Sequence, residues 1–268
     1  MKSNLCQLEG DTQVIHETAI IDPSAKLAAD VRVGPYSVIG PDVFIDEGTE
    51  IGPHAVIKGP SRIGKHNKIF QFASIGEDCQ DKKFIGEHAT LEVGDGNVFR
   101  EFCTIHRGTA HGGSVTRIGN DNLFMAYTHV AHDCIVGNEV VMSNNATLAG
   151  HVVVGDAAIM SGFTAIHQFC YVGAHSFIGG GAKVVKDILP FVMISCDAHC
   201  AGLNLVGLKR RGYDADSIAI LKKAYRIIFR SGNTVAQSIE ELEQLVPECE
   251  AVQAFIDGLQ ASERGIVR

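Results

Sequence analysis

The sequence predicts a mainly-β protein, a left-handed parallel β-helix followed by a C-terminal α-helical domain. Three observations predict this fold: an apolar residue recurs every six positions, glycine often follows it, and the recurrence ends before helically spaced apolar residues begin. The repeat residues run from Ile15 to Ile75, resume at Val93 and, after a slip of one position, continue from Ile118 to Val184. A period of six is neither the helical period near 3.6 nor plain strand alternation.

A six-residue period is typical of a β-helix whose flat faces turn a corner every six residues. Three faces make one coil, so residues eighteen apart should stack at the strand spacing of about 4.8 Å. We expect each repeat residue to point inward, and we expect the glycine after it to permit the tight bend. Known proteins with this repeat wind left-handed, which predicts the hand.

The predicted β-helix covers residues 1–189, of which 1–14 precede the repeat and are expected to form an irregular cap. Two interruptions, at 76–92 and 111–117, are predicted to be loops extruded from the solenoid. Loops on rigid solenoids commonly carry function, although tolerated surface insertions explain the same pattern.

Residues 190–268 are predicted to form an irregular crossover, at 190–213, and a helical domain. From Lys209 to Arg230 the chain carries seven basic residues against two acidic ones, within a protein of net charge −8. Such a segregated basic patch suits phosphates or an acidic protein partner. A solvated helix face is the alternative.

Three helices are expected in this second domain. The first should follow an N-cap at Asp216 or Ser217, because apolar residues with helical spacing come next. Thr234 with Gln237 predicts a capping box for the second helix. Pro247 is expected to open the third.

The composition and the charge argue against several classes of protein. A net charge of −8 argues against non-specific binding to nucleic acid. No apolar run is long enough to span a bilayer, and the first ten residues lack a signal-peptide core, which predicts a cytoplasmic protein. The eight cysteines show no CxxC spacing and are expected to be reduced thiols.

A histidine-rich run at 129–134 is the strongest chemical signal. His132 should lie at a corner, and its partner eighteen residues on is Gly150, which predicts an open space and a free backbone N–H beside the imidazole. Histidine can take a proton from a hydroxyl at neutral pH, and Asp133 could orient the ring. His151 and His167 extend the cluster. A corner histidine bonded to backbone is the simpler alternative for any one of them.

Zinc binding is a competing hypothesis, because surface histidines hold zinc in some trigonal proteins of this repeat class. His106, His129 and His132 are the candidates, while His111 lies in the second loop and breaks the stacking frame. We predict neither a bound metal nor a cofactor.

Several strings together are more specific than the repeat. They are QFASIGE (71–77), TIHRGT (104–109), HVAHDC (129–134), NNATLAGH (144–151), AIHQFC (165–170) and GLKRRG (207–212). With them the chain resembles, over essentially its whole length, the acyl-ACP–UDP-N-acetylglucosamine O-acyltransferases, which begin lipid A synthesis. The resemblance implies a homotrimer of left-handed β-helices with active sites in the clefts between subunits.

The resemblance also implies the reaction and its partners. An (R)-3-hydroxyacyl group passes from acyl carrier protein to the glucosamine 3-hydroxyl of UDP-N-acetylglucosamine. His132 would be the general base, Asp133 its support, and the Gly150 N–H the oxyanion donor. No covalent acyl-enzyme is expected.

Further residues are implied to contact the substrates. The sugar-binding set is Asp81, Lys83, His129, His151 and Gln168, and the nucleotide-binding set is His167, Asn204 and Arg211. Arg210 and the basic residues of the tail would face the acidic carrier protein. Gly180 matches the position that limits acyl length and, having no side chain, predicts a chain of about fourteen carbons. Asp197 departs from the family, since some members carry histidine there near the acyl tail.

Proteins with two other activities contain the same six-residue repeat. The N-acyltransferase that acts on the deacetylated sugar uses the same chemistry but usually carries an extra N-terminal domain, and here only fourteen residues precede the repeat. A zinc-dependent hydratase of the carbonic anhydrase type has the same repeat, but it has no use for the GLKRRG segment and a helical cap.

Overall fold

The computed structural model describes residues 15–268, so the predicted cap at 1–14 lies outside the described residues. Residues 15–203 contain 27 short strands in three sheets that form the faces of a prism. Up to Lys183–Val184 successive strands fall on successive faces, and all neighbours within a sheet are parallel except the last pair of the ten-stranded sheet. The predicted parallel β-helix is confirmed.

Up to Lys183–Val184 each sheet takes every third strand, and the last two strands both join the ten-stranded sheet. The nine-stranded sheet contains Ile20–Ile21, Val38–Ile39, Val56–Ile57, Ser74–Glu77, Thr104–His106, His129–Val130, Thr147–Leu148, Ala165–Ile166 and Lys183–Val184. The eight-stranded sheet contains Lys26–Leu27, Val43–Ile45, Ser61–Ile63, Thr90–Val93, Val115–Ile118, Ile135–Val136, Val153–Val154 and Tyr171–Val172. The ten-stranded sheet contains Arg32–Val33, Glu50–Ile51, Lys68–Ile69, Val98–Phe99, Leu123–Phe124, Val141–Met142, Ile159–Met160, Phe177–Ile178, Val192–Ile194 and Cys200–Leu203.

The strand register follows the predicted stacking. Val130 pairs with Leu148, eighteen residues on, and this spacing recurs along the solenoid except across the two loops and in the last coil, where Phe177 pairs with Met193. Every repeat residue from Val33 to Val184 is buried, whereas Ile15 at the open end is 38 % exposed. The core is therefore a column of side chains inside the prism, in which each repeat residue is accompanied on most faces by a second, often smaller buried residue two positions before it, such as Ala146 before Leu148.

The glycines that follow the repeat residues have a different role from the predicted one. The left-handed turn lies two positions further on, as at Tyr36 and Asp133, and most of its residues are not glycine. A Cβ on Gly34 would come within 2.8 Å of the Pro53 nitrogen, and one on Gly52 within 2.9 Å of the Gln71 nitrogen. These glycines allow the backbones of stacked coils to approach closely.

Both extruded loops are present, with bounds that differ from the predicted ones. The first runs between Ser74–Glu77 and Thr90–Val93, and the second between Thr104–His106 and Val115–Ile118. The second loop contains a 3-10 turn, Ala110–Gly112. Residues 115–117, assigned to the loop from sequence, belong to a strand because Val115 pairs with Thr90 in the eight-stranded sheet.

Beyond the solenoid, the described chain contains four α-helices: α1 (Leu205–Arg210), α2 (Ala215–Phe229), α3 (Val235–Glu243) and α4 (Gln253–Ala261). Helix α1 lies inside the predicted irregular crossover, and two strands of the ten-stranded sheet, Val192–Ile194 and Cys200–Leu203, extend past the predicted boundary at 189. None of the helices in the described chain is long and apolar enough to cross a membrane.

Helix capping agrees with the sequence in one case and differs in two. The Thr234–Gln237 capping box of α3 is present as predicted. Helix α2 begins earlier than predicted, since Asp214 accepts a hydrogen bond from the Ser217 N–H at 2.7 Å. Helix α4 begins after a 3-10 turn at Glu250–Val252 and not at Pro247, because the extended backbone of the buried Cys249 interrupts the helical path.

Candidate active site

His132 and Asp133 face each other at the corner after strand His129–Val130. Asp133 adopts φ +60° at the corner between two faces, and its carboxylate contacts the preceding ring. His132 Nδ1 lies 2.8 Å from Asp133 Oδ2. Because a carboxylate only accepts, Nδ1 is the donor in this contact, and in the neutral ring Nε2 is the nitrogen with the lone pair. Adjacent residues thus form the pair that the sequence suggested.

The Asp133 side chain is completely buried. The Thr109 N–H donates to Oδ1 at 2.8 Å, and the Thr109 hydroxyl donates to Oδ2 at 2.7 Å. The backbone N–H of Asp133 donates to the Thr116 hydroxyl oxygen at 2.8 Å. A buried carboxylate needs such donors, and here the second loop and the following strand hold both the side chain and its backbone.

Gly150 lies directly against the His132 ring. A Cβ on Gly150 would come within 2.5 Å of Cε1 and 2.7 Å of Nε2. The open space predicted above His132 is therefore filled by the imidazole itself. The Gly150 N–H donates to no acceptor within residues 15–268.

Two further histidines adjoin this pair. The His151 ring meets the His132 ring edge-on at 5.1 Å between centroids, and its Nε2 lies 3.7 Å from Asp133 Oδ2. Burial lowers the pKa of His151, and it lowers the pKa of His129 to about 4, with two neighbouring histidines adding to the effect. His129 Nδ1 is also 2.7 Å from the Thr104 hydroxyl. At neutral pH, His129 is an uncharged polar contact group.

The first loop brings Asp81 towards the same corner. Asp81 Oδ1 accepts the Lys83 N–H at 3.0 Å, and this bond is the main cause that lowers the Asp81 pKa. The nearby His132 lowers that pKa further, which places the carboxylate within electrostatic range of the imidazole. Lys83 itself is exposed. The structure thus brings Asp81 into the neighbourhood of His132.

Gln168 and His167 continue the corner one coil beyond Gly150. Both side chains are exposed, and His167 Nδ1 lies 3.0 Å from the Gln168 carbonyl oxygen. Phe169, next in the chain, stacks on His151 with 4.4 Å between ring centroids. The corner therefore presents polar groups to solvent beside a packed aromatic contact.

Asn204, Arg210 and Arg211 lie elsewhere on the prism. Asn204 caps α1 by accepting the Gly207 N–H at 3.0 Å, and it donates to the His175 carbonyl at 3.0 Å. Arg211 pairs with Glu139, at the far edge of the eight-stranded sheet from His132. A cavity of about 620 Å³ lies between α1 and the outside of the ten-stranded sheet, and both arginines line it.

Gly180 lies at the third corner, between the ten-stranded and nine-stranded sheets, and is exposed. A Cβ there would come no closer than 3.3 Å, to the Gly162 carbonyl. Asp197 is also exposed and hydrogen-bonds to Ser195. Within one chain, Gly180 and His132 therefore do not border a common cleft.

The three histidines considered for zinc do not converge on one point in the described chain. Within residues 15–268, the metal-binding atom types that converge come from His132, Asp133 and His151, all within 4.8 Å of one another. His106 and His129 contact each other edge-on at 4.9 Å, and His106 Nδ1 is buried without a hydrogen-bond partner among those residues.

Sequence reasoning missed three residues near these sites. Thr109 and Thr116 hold Asp133, and His175 lines the cavity beside α1, where burial and Arg211 lower its pKa. Thr109 lies inside the string TIHRGT, but no spacing rule connects it to a residue 24 positions later.

Comparison with known proteins gives the family. The family model described as Udp N-acetylglucosamine O-acyltransferase, Domain 2, matches residues 187–267, and the bacterial transferase hexapeptide model matches 116–150. The acyl-[acyl-carrier-protein]–UDP-N-acetylglucosamine O-acyltransferase of Thiobacillus denitrificans is 58 % identical over 255 residues, covering 95 % of this chain and 99 % of the relative. The corresponding protein of Stenotrophomonas maltophilia is 54 % identical over 256 residues, with 95 % and 97 % coverage.

Comparison with solved structures gives the same family. LpxA from Acinetobacter baumannii superposes with a TM-score of 0.93 at 48 % identity, covering 95 % of this chain and 100 % of that one. The UDP-N-acetylglucosamine acyltransferase of Francisella novicida gives 0.93 at 40 % identity, with 95 % and 94 % coverage. On this similarity in sequence and fold, the chain belongs to the family of acyl-[acyl-carrier-protein]–UDP-N-acetylglucosamine O-acyltransferases.

Proposed function

We propose that this protein transfers an (R)-3-hydroxyacyl group from acyl carrier protein to the 3-hydroxyl of UDP-N-acetylglucosamine, with His132 as the general base. This is the first step of lipid A biosynthesis. The observation that carries the proposal is the 2.8 Å contact of His132 Nδ1 with the buried Asp133 carboxylate, in a ring that packs against Gly150.

The geometry supports a direct transfer. Nε2 of His132 takes the proton of the sugar hydroxyl as its oxygen attacks the thioester carbonyl, and Asp133 stabilises the resulting imidazolium. The Gly150 N–H donates to the oxyanion of the tetrahedral intermediate. When the C–S bond breaks, the imidazolium returns the proton to the leaving thiolate, so the ester and the free thiol form together.

The assay compares wild type with His132→Ala, using 3-hydroxyacyl carrier protein and UDP-N-acetylglucosamine. We expect product from wild type and a loss of about several hundredfold or more in the variant. His66→Ala is the matched control, because the exposed His66 also packs on a glycine, Gly48, but forms no ion pair with a carboxylate of the described chain. Equal activity of His132→Ala and wild type would place the base elsewhere, and no product from folded wild type would contradict the proposed reaction.

The substrate residues would come from two subunits of a homotrimer. His132 lies at one corner of the prism and Gly180 at another, so a cleft that borders both needs a second copy of the chain. The corner that carries Gly180 also bears a row of exposed, stacked aromatic rings, in which Phe72, Phe102 and Tyr127 follow one another at 5.1 and 4.8 Å. These rings are 42–56 % exposed in one chain and suit burial against a neighbour.

In this arrangement, the sugar would be held by one subunit's set of Asp81, Lys83, His129, His151 and Gln168. The nucleotide end would be held by Asn204, Arg211 and His167, and Arg210 would face the acidic carrier protein. Arginine suits this role because its planar guanidinium binds phosphate oxygens bidentately. Arg211 and Asn204 lie across the eight-stranded sheet from His132, which also favours a shared site.

Subunit mixing tests the shared site. Co-expression of His132→Ala with Arg211→Ala should restore activity above either variant alone, because some clefts then combine two intact halves. Sedimentation should give about three times the chain mass of 28.7 kDa. A monomer, or mixed trimers no more active than their parents, would contradict a site built from two subunits.

A further inference from the structure

The second extruded loop closes over Asp133. Thr109 supplies two donors to the carboxylate, from its N–H to Oδ1 and from its hydroxyl to Oδ2, at 2.8 and 2.7 Å. Gly112, in the 3-10 turn of the same loop, lies so close that an added Cβ would overlap the Asp133 carboxylate. The loop therefore seals the carboxylate from water and occupies two of its acceptor positions.

The two donors leave Asp133 one orientation. Oδ2 accepts from the Thr109 hydroxyl and from His132 Nδ1, so rotation of the carboxylate about its Cβ–Cγ bond would break at least two hydrogen bonds. The buried side chain has no exposed surface on which water could replace them. Hydrogen bonds to a buried charged group are stronger than those between neutral groups.

The same loop also supports the first loop. The Ala110 N–H donates to Glu87 Oε1 at 3.3 Å, and Glu87 in turn accepts the Ile85 N–H at 2.9 Å. The first loop carries Asp81 towards the imidazole. The second loop thus contacts both the Asp133 carboxylate, which pairs with His132, and the first loop.

We propose that Thr109 is a positioning residue for acyl transfer. By fixing the Asp133 carboxylate, it holds His132 with Nδ1 as donor and with Nε2 directed towards the substrate. This inference rests on the proposed role of His132 as general base and assigns the second loop a function in that reaction.

The test compares Thr109→Val with Thr109→Ser. Valine has the shape of threonine and keeps the N–H bond to Oδ1 but removes the hydroxyl bond to Oδ2. We expect kcat to fall by about 10- to 100-fold, while KM for both substrates stays within about twofold of wild type. The reason is that the hydrogen bond from the Thr109 hydroxyl to Asp133 positions the general base and does not contact either substrate. Serine restores the hydroxyl and should restore most of kcat.

Thr90→Val is the matched control. The Thr90 hydroxyl donates to the Ser114 carbonyl at the end of the same loop, 3.4 Å away, and does not contact Asp133. Its loss should leave kcat within about twofold of wild type. Thermal unfolding of every variant shows whether the loop still packs, and Thr109→Ala replaces Thr109→Val if the valine variant fails to fold.

The outcomes separate this proposal from the proposed function. An active wild type, an inactive His132→Ala and a fully active Thr109→Val would overturn the role of Thr109 alone. A Thr109→Ser variant as slow as Thr109→Val would also overturn it, because the hydroxyl would then not be the group that matters. Activity that survives in His132→Ala would instead contradict the proposed base.

Discussion

The imidazole of His132 fills the space where a side chain on Gly150 would stand, with 2.5 Å between Cε1 and the position of that Cβ. The two residues are eighteen positions apart and stack on successive coils, in line with the pairing of Val130 with Leu148. The glycine therefore leaves room for the imidazole against the next coil, and the Gly150 N–H donates to no acceptor among residues 15–268.

Gly150→Ala should abolish most of the activity without unfolding the protein. The added methyl would push the His132 ring off its position, and displacement of a catalytic group by about 1 Å costs on the order of 100-fold in rate. Turnover and melting temperature would be measured together. Gly40→Ala is the control, since a Cβ there would come no closer than 3.4 Å to another atom. Full activity in Gly150→Ala would argue against the observed ring position in the working enzyme.

The partly buried His129 should make the free energy of unfolding fall in mild acid. Burial lowers its pKa to about 4, so the unfolded chain, with an ordinary histidine, binds more protons between about pH 6.5 and pH 4. The contribution of neutral His129 to the free energy of unfolding is fully present above pH 6.5. As the pH falls towards 4 this contribution is lost, and the free energy of unfolding decreases by up to about 3 kcal/mol. Urea unfolding of wild type and His129→Gln at a series of pH values should show a shallower loss in the variant. His16→Gln, at an exposed position, should follow wild type.

Gly180→Met should shift the enzyme towards shorter acyl chains. The nearest atom to an added Cβ is the Gly162 carbonyl oxygen at 3.3 Å, so the side chain would project outward from the corner without disrupting the solenoid. It would shorten a channel that we expect to accept about fourteen carbons. Competition between acyl carrier proteins of different chain length measures this preference. A wild-type preference for about ten carbons would contradict the argument from Gly180.

Salt should weaken engagement of the carrier protein more than binding of the UDP-sugar. All seven basic side chains between Lys209 and Arg230 are exposed, and only Arg211 forms an ion pair with a described residue. Exposed charges are screened beyond about 10 Å at 0.1 M salt, whereas contacts inside a cleft are screened less. The KM for each substrate would be followed over increasing salt. Lys222→Gln should reduce the salt dependence of the KM for the carrier protein. Lys26→Gln, at the other end of the solenoid, should leave that salt dependence unchanged. Equal salt sensitivity of the KM for both substrates would count against this docking surface.

The repeat and the family could be predicted from the sequence because their signals are local or periodic. Burial of the apolar residue that recurs every six positions is a property of each face, so the repeat residues from Val33 to Val184 identify much of the core without knowledge of any contact. The capping box at Thr234 and Gln237 is a local signal of the same kind. The eighteen-residue stacking follows from three faces, which was enough to bring His132 and Gly150 together.

Only the tertiary structure shows how the side chains at the corner meet. Thr109 contacts Asp133 across 24 positions, since the second loop changes the stacking interval from 18 to 25 residues between Thr104 and His129. Asp133 has the positive φ that recurs every six residues in this part of the solenoid, but its carboxylate is held by donors from Thr109 in the second loop. Interactions that depend on loop length are set by the packing of the coils, and no repeat in the sequence records them.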